Sequence, residues 1–467
     1  MAVMPQDTAD QPLFTALAAH GVAAMPPATA ARDGESRALT RALFNGAVRS
    51  LPLALVPCAD EAAIRTVLRL AADHGTPVSV CAGGHDLSGR SFDPENLVLD
   101  LGGLNHVHVD PARDEVTLGG GALTRDLLAA LPEDRVTATG TVLTVGMTGA
   151  TLGGGYGRLT PGFGLSADCL LRARVVLADG SVVIASEAED ADLLWALRGG
   201  GTGFGVVTAL TMALHTLPRV LSALILYPPS EAGSLLLAAQ DLIDRHPDAL
   251  SLFMGFMTAP TGDVMLFVAP MWWGDGPEGE GVVDGLTQRP GAFVLETGWR
   301  PYRATFSAES EKAWPKGRHY HLPTRTVRRI DGHVAEILVA GARGMTSPNS
   351  AIVLHDFHGA PTRIAPGATA FPLREDHFVV EIIAAWDDPT AELAADGLRH
   401  RAWADDLSGA LAPVSLPGGY VNLLPPDEAE RVRLFYGPSA DRLHATKRCV
   451  DPHDLFRSAI GRLPAVR

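Results

Sequence analysis

Short apolar runs and one amphipathic stretch alternate through the first part of the chain. LALVPC (53–58) and PVSVCAGG (77–84) read as strands. Between them, ADEAAIRTVLRLAADHG (59–75) puts Ile64, Val67, Leu68 and Ala71 on one helical face, with Asp60 as N-cap and Gly75 as stop. A strand–helix–strand unit of this kind predicts an α/β start. NLVLDL, HVHVD and EVTLGGG predict further strands and TRDLLAAL a helix. Residues 137–165 are rich in Gly and Thr and show no period. RARVVLADGSVVIAS predicts a hairpin turning at Asp179-Gly180. DADLLWALRGGG predicts a helix with an acidic start and a glycine stop, and FGVVTALTMALHTL a strand. The polar and Ala-rich pieces of residues 1–50 predict short helices.

Near 217–230 the texture changes. Longer strands follow up to 414: ALILYP, LFMGFM, VMLFVAP, AIVLHDFHG and HFVVEIIAAW, separated by helix-like stretches. This predicts a second domain built on an antiparallel sheet. GDGPEGEG at 274–281 reads as a polar loop. After 414 the short motifs return, with VRLFYGPSADRLHATKRCV as one helix, and this end is predicted to rejoin the first domain. No internal repeat or heptad pattern is found.

Composition narrows the function. A chain of 467 residues with 46% hydrophobic and 19% charged residues has material for two or three folded domains. The net charge of −15 argues against nucleic acid or an anionic membrane as partner. Positive charge is nearly all arginine; the lysines are Lys312, Lys316 and Lys447. Cys58, Cys81, Cys169 and Cys449 are scattered without metal-ligand spacing, so neither a zinc site nor a disulfide framework is expected and a reducing compartment is the default. No secretory leader or membrane-spanning run is read, which predicts a soluble, cytoplasmic protein. Nothing in the sequence specifies an oligomeric state.

Three glycine clusters stand out: AGGHD (82–86), LGGGYG (152–157) and RGGGTGFG (198–205). Glycine turns expose backbone N–H groups and allow a pyrophosphate to approach. None fits the dinucleotide fingerprint GxGxxG. His85 breaks the first, Arg158 stands at the last position of the second, and Val206 at that of the third. A Rossmann NAD site is unsupported, and no lysine follows a glycine as a Walker A loop requires. Each cluster alone reads as a tight turn or helix cap; three in one unit point to a phosphate-bearing ligand.

Around AGGHDLSG the chain resembles the covalent flavoprotein oxidases of the vanillyl-alcohol oxidase and berberine bridge enzyme superfamily. GTVLTVGMTGATLGGGYGRLTPGFGLSADCL, LLWALRGGGTGFGVVT and the ending GGYVNLLPPDEAERVRLFYG…RLHATKRCVDPHDLF are similar to that family in the same order. The resemblance implies an α+β protein with a PCMH-type FAD-binding domain (40–215), a substrate domain with a large antiparallel sheet covered by helices (216–414), and a C-terminal segment (415–467) returning to the first. It implies FAD bound covalently through His85, with Ala82, Gly83, Gly84 and Asp86 beside it. Thr141, Val145, Gly146, Gly149, Gly153, Gly154, Gly155, Tyr156, Gly157, Gly205, Val206, Val207, Tyr420 and Asn422 complete the expected cofactor site. Many relatives add a cysteinyl link in a Gly-x-Cys-x-x-Val-Gly context; here that cysteine is Val142, so one covalent bond is expected. Val145 occupies the position that controls oxygen access in the family, and its small side chain points to molecular oxygen as acceptor. The relatives' Asn-rich ending is replaced by Arg457-Ser458-Ala459-Ile460-Gly461, so that flavin contact is not carried over.

Hydride removal from carbon also needs a place for a proton. Glu381 interrupts the apolar strand HFVVEIIAAW, sharing a face with Val379 and Ile383. A carboxylate among apolar neighbours is costly to bury. The resemblance makes it a base or substrate anchor; the plainer alternative is a glutamate paired with an arginine in the core or lying at a sheet edge. His355, with Phe357 on one face of AIVLHDFHG, is a second candidate, its alternative being a solvated surface histidine. Tyr420 and Asn422 are spaced to point the same way and, by the resemblance, bind a substrate oxygen beside the flavin. His319, Tyr320 and His321 carry no assignment. The expected activity is oxidation of a small alcohol, sugar, amine or phenolic metabolite. The rivals are a tailoring enzyme performing oxidative cyclisation or oxygenation, and a non-catalytic flavin-binding protein.

Overall fold

The computed structural model describes residues 11–26, 43–274, 276–306, 312–387, 394–425 and 427–457. Of the N-terminal helices expected, Gln11–Ala19 is helical; residues 1–10 and 27–42 lie outside the described residues, as does the departure at 458–461.

The first sheet has three parallel strands, β1 (Ala54–Pro57), β2 (Val78–Cys81) and β3 (Leu97–Asp100), in the order β1-β3-β2. The helix Glu61–Asp73 joins β1 to β2. Asp60 caps it by accepting the Ala63 N–H at 2.8 Å, and Ile64, Val67, Leu68 and Ala71 are buried on its sheet-facing side, as the spacing predicts. A parallel strand covered on both faces reads as a continuous apolar run, which is why these strands show no alternation.

A second sheet has the order β4-β5-β9-β7-β8, from Val107–Asp110 (β4), Glu115–Gly119 (β5), Leu170–Val176 (β7), Val182–Ser186 (β8) and Val206–Ala213 (β9). β7 and β8 form the hairpin predicted around Asp179-Gly180. Two short strands, β6 (Arg135–Val136) and β10 (His215–Thr216), pair with each other.

The third sheet is antiparallel. Its strands are β11 (Val220–Tyr227), β12 (Leu250–Thr258), β13 (Val264–Trp272), β14 (Phe293–Arg300), β15 (His319–His321), β16 (Thr324–Val327), β17 (Ala351–Phe357) and β18 (His377–Trp386). The order is β14-β11-β13-β12-β17-β18-β15, with β16 also on β18. Helices Ala232–Arg245, Gly332–Arg343 and Ala394–Leu411 bury one face, packing Leu236, Leu338 and Leu407 with Leu252, Met254, Ile352, Leu354, Val380 and Ile382. The intervening residues, Phe253, Val353, His355, Glu381 and Ile383, are left for the other face. We propose 215/216 and 414/415 as the domain boundaries, because every strand of this sheet lies between them.

Two local expectations are corrected. Residues 274–281 are not simply a loop: Pro277–Thr287 is a helix that buries Val283 and Leu286. Its glycines hid the period, while Pro277 suits a first turn because the missing N–H is unpaired there anyway. Residues 432–450 form two helices, Ala429–Tyr436 and Ala440–Val450. The break falls at Gly437-Pro438, where proline cannot continue the hydrogen-bond ladder. The unassigned stretch 137–165 contains two short helices, Met147–Leu152 and Thr160–Phe163. The chain end does return: Phe456 bridges to Val78, and Tyr420, Val421 and Leu424 join the core under the five-stranded sheet.

Candidate active site

The loop after β2 and the segment 140–150 cross at two glycines. A Cβ on Gly83 would stand 2.4 Å from the Gly146 nitrogen, and one on Gly146 would stand 2.7 Å from the Gly83 nitrogen. Gly83→Ala is therefore expected to lower thermal stability by roughly 1–3 kcal/mol and to weaken flavin retention, because the obstruction is backbone and cannot swing away. A melting curve unchanged from the parent protein would contradict this.

His85 follows this crossing. Its Nε2 lies 2.8 Å from Thr144 Oγ1, and its ring stacks on Phe44 with centroids 4.2 Å apart. Burial, helped by the charge of Lys316, pushes its pKa down to about 3, so the imidazole is neutral at ordinary pH. Asp86 does not face the site as a free carboxylate. It accepts from the Arg90 guanidinium at 3.1 and 3.2 Å and from the Arg90 N–H at 2.6 Å. Arg90 in turn donates to the carbonyls of Leu424 (2.8 Å) and Asn422 (3.3 Å), tying the loop to the C-terminal segment.

Tyr420 and Asn422 arrive on that segment. The Tyr420 oxygen accepts from the Gly155 N–H at 3.0 Å and from the Asn422 amide at 2.9 Å. Burial pushes its pKa up to about 12, so the phenol stays protonated. With both lone pairs engaged, its own O–H is left to donate. Asn422 also donates to the carbonyls of Gly149 and Ala150, so its amide nitrogen is committed to protein. Behind Tyr420, the Tyr156 hydroxyl lies 2.6 Å from His377 Nε2, and the His377 Nδ1–H donates to the Glu375 carbonyl at 2.7 Å. Burial holds His377 neutral, with its pKa down at about 3. Below about pH 6.5 the unfolded chain binds a proton that folded His377 refuses, so this residue makes stability fall with pH, by up to about 1.4 kcal/mol per unit. Titrating the chemical unfolding free energy from pH 7 to 4 checks it against His377→Gln, which should show a shallower loss.

The large sheet closes the cavity from the opposite side. Glu381 and His355 lie on adjacent strands, with Glu381 Oε1 3.2 Å from His355 Nε2 and both side chains largely buried. Glu381 therefore has a partner, a histidine rather than an arginine, and His355 is not a solvated surface residue. On the reverse face Asp356 binds His358 at 3.0 Å and Ser251 at 3.1 Å, a separate buried network away from the cavity.

The resulting cavity holds about 300 Å³ and has His85 in one wall and the Glu381–His355 pair in another. Ala82, Gly83, Gly84, His85, Asp86, Thr141, Val145, Gly146, Gly149, Gly155, Tyr156, His355, Glu381, Tyr420 and Asn422 all line it. Six expected cofactor residues do not. Gly205 packs on Val175 and Val176, while Val206 and Val207 point into two cores, because β9 is the middle strand of its sheet. Gly153, Gly154 and Gly157 stand behind the wall, where a Cβ would strike Asn422, Phe371 and the Thr139 carbonyl. From the third glycine cluster, Thr202 reaches the cavity.

Phe44, Arg90, Phe253, Trp314, Tyr320 and Leu322 also line it and were not foreseen. Phe253 was within reach, since it alternates with core residues Leu252 and Met254 on LFMGFM. Phe44 carries no periodic signal. A flavin nucleotide fits this trough. Its histidine is uncharged, and Gly149 leaves room in the wall: a Cβ there would meet no protein atom within 4 Å.

Comparison with known proteins agrees. Residues 52–186 match the FAD binding domain family, and residues 419–461 the family described as berberine and berberine like. The chain is 38% identical over 460 residues to the FAD-linked oxidoreductase pgmH of Aspergillus terreus, covering 93% of this chain and 92% of that one. The chain belongs to the FAD-linked oxidoreductases of the berberine bridge enzyme family. Among solved structures, 6-hydroxy-D-nicotine oxidase from Arthrobacter nicotinovorans superposes with a TM-score of 0.82 at 26% identity, over 93% of this chain and 96% of that one. Berberine bridge enzyme from Eschscholzia californica shares the fold, with a TM-score of 0.84 at 21% identity over 97% and 99% of the two chains. The protein is thus an FAD-dependent oxidoreductase with a large antiparallel sheet. Among the described residues no helix is long and apolar enough to cross a membrane, and no cluster of three metal-ligating side chains occurs.

Proposed function

We propose that this enzyme holds FAD through a single covalent bond to His85 and oxidises a small organic substrate, with molecular oxygen as final acceptor. The observation that carries this reading is the shared cavity: the neutral His85 ring lines the same space as Glu381, His355 and Tyr420. Bound FAD supplies a two-electron acceptor for a hydride from the substrate carbon. The chain supplies the rest. Glu381 takes the proton from the substrate's O–H or N–H, and His355, 3.2 Å away, orients the carboxylate and disperses its charge. Tyr420 donates its O–H to the substrate heteroatom, while Asn422 holds the phenol in place. Val142 and Val145 line the wall as apolar side chains, which supports one tether and an open approach for oxygen.

The walls around this polar group are Phe253, Trp314, Tyr320, Leu322, Val353 and Ile383. A flat, apolar substrate carrying one hydroxyl or amine, such as a phenolic or alkaloid-like metabolite, buries most surface here. Anaerobic addition of such compounds should bleach the visible absorbance of the flavin. Readmitting air should restore it with one peroxide per turnover. A product bearing a new ring or a new oxygen would replace simple oxidation with tailoring chemistry; no bleaching by any compound in a broad panel, with folded flavinylated protein, would sink the oxidase reading. Val145→Leu is expected to slow the reoxidation step in stopped flow while leaving reduction of the flavin by the substrate unchanged.

A further inference from the structure

Phe44 lies between the two halves of the site. Its ring stacks on His85 at 4.2 Å and 25° on one side and on Tyr320 at 5.0 Å and 15° on the other. Phe44 is 6% exposed. Its backbone is held at both ends, since the Phe44 N–H donates to the Gly84 carbonyl and the Gly317 N–H donates to the Phe44 carbonyl, each at 2.8 Å.

The next residue completes the clip. The Asn45 amide donates to the Tyr320 carbonyl at 2.9 Å and its oxygen accepts the Tyr320 N–H at 2.9 Å. The same amide nitrogen donates to the Leu87 carbonyl at 2.7 Å, in the loop that carries His85. Gly46 follows closely enough that a Cβ there would stand 2.0 Å from the Gly317 oxygen. Tyr320 belongs to β15, which pairs with β18, the strand that carries Glu381. Phe44 and Asn45 therefore connect the histidine loop to the edge of the substrate-side sheet.

Two contacts define the His85 ring. The Thr144 hydroxyl engages Nε2 and fixes which edge faces it. The Phe44 face fixes the ring plane. We propose that Phe44, clamped by Asn45 and backed by Tyr320, is a positioning residue for flavin attachment: it holds the His85 imidazole in the one plane from which its other nitrogen reaches the flavin. The proposal rests on the reading of His85 as the tether. The bond that forms joins that nitrogen to the carbon of the flavin's ring methyl. One C–H of the methyl and one imidazole N–H break. The two electrons and two protons released pass through the flavin ring system to dioxygen, which leaves as hydrogen peroxide.

A stacked plane contributes orientation more than binding, so its loss should slow attachment without weakening FAD association. The test uses the full chain produced without flavin, then incubated with FAD in air. Aliquots are acid-precipitated, and flavin fluorescence on the denatured protein is followed with time; noncovalent FAD binding is measured separately by fluorescence quenching. Phe44→Leu is expected to flavinylate about tenfold more slowly at unchanged FAD affinity, and Phe44→Tyr to restore the parent rate. Should Phe44→Leu fail to fold, Tyr320→Leu, which removes the backing ring, is expected to show the same slowing. Parent-like rates in the leucine variants, or slowing matched by lost FAD affinity, overturn the proposal. A parent protein that folds and binds FAD but never retains it after acid overturns the tether reading itself, and this inference with it.

Discussion

His85→Ala is expected to bind FAD and let it go: acid precipitation should leave a colourless pellet and a yellow supernatant, where the parent protein keeps the colour in the pellet. The chemistry of the residue supports this. A nucleophilic nitrogen must carry a free lone pair, and burial keeps the His85 imidazole neutral by pushing its pKa down to about 3. Lys316 adds to that depression and disfavours a second positive charge nearby. By the resemblance drawn from the sequence, Val142 stands where many relatives carry a cysteine, and a valine side chain cannot form a second bond to the flavin. Loss of the proposed bond would also change the thermodynamics. A ligand held noncovalently stabilises the fold by mass action, about 2.7 kcal/mol at a hundredfold excess over Kd. The melting temperature of His85→Ala should therefore rise with added FAD, whereas that of the flavinylated parent should not. Colour retained in the pellet of His85→Ala would show a different tether.

Which parts of this site could be read from the sequence follows from the range of the interactions involved. The helix Glu61–Asp73 was legible to its cap because its face, Asp60 cap and glycine stop are local. The shared face of Val353, His355, Glu381 and Ile383 was partly legible, since alternation along β17 and β18 fixes which residues point together. Alternation could not give the pairing of His355 with Glu381, which depends on the register between two strands. Glycine was the ambiguous signal. Gly83 and Gly146 allow two loops to cross beside the cavity, but Gly205 serves the packing of β9 and Gly279 the approach of a helix to Trp272. All four look alike in sequence. Phe44 was illegible for the opposite reason: its meaning comes from rings 41 and 276 positions away, and nothing periodic surrounds it.

Glu381→Gln is the second substitution with a large expected effect, and it separates a base from a structural ion pair. Glutamine keeps the shape and can still meet His355, but it cannot take a proton. If Glu381 is the base, the rate of flavin reduction under anaerobic conditions should fall by about 10²–10⁴-fold, with substrate affinity changed far less. His355→Gln should cost less, because it removes the partner 3.2 Å from the carboxylate and not the acceptor itself. A purely structural pair predicts the reverse pattern. Breaking it would leave one buried charge without its partner and lower stability by several kcal/mol, while flavin reduction in the surviving folded fraction would be unimpaired. Tyr420→Phe supplies the control on the other side of the substrate. It removes the donor but no base, so it should weaken binding and slow reduction together, leaving a rate above that of Glu381→Gln. A Glu381→Gln enzyme that reduces its flavin at the parent rate would move the base elsewhere in the cavity. The protonated Tyr420 could not replace it without first losing a proton that burial holds to about pH 12.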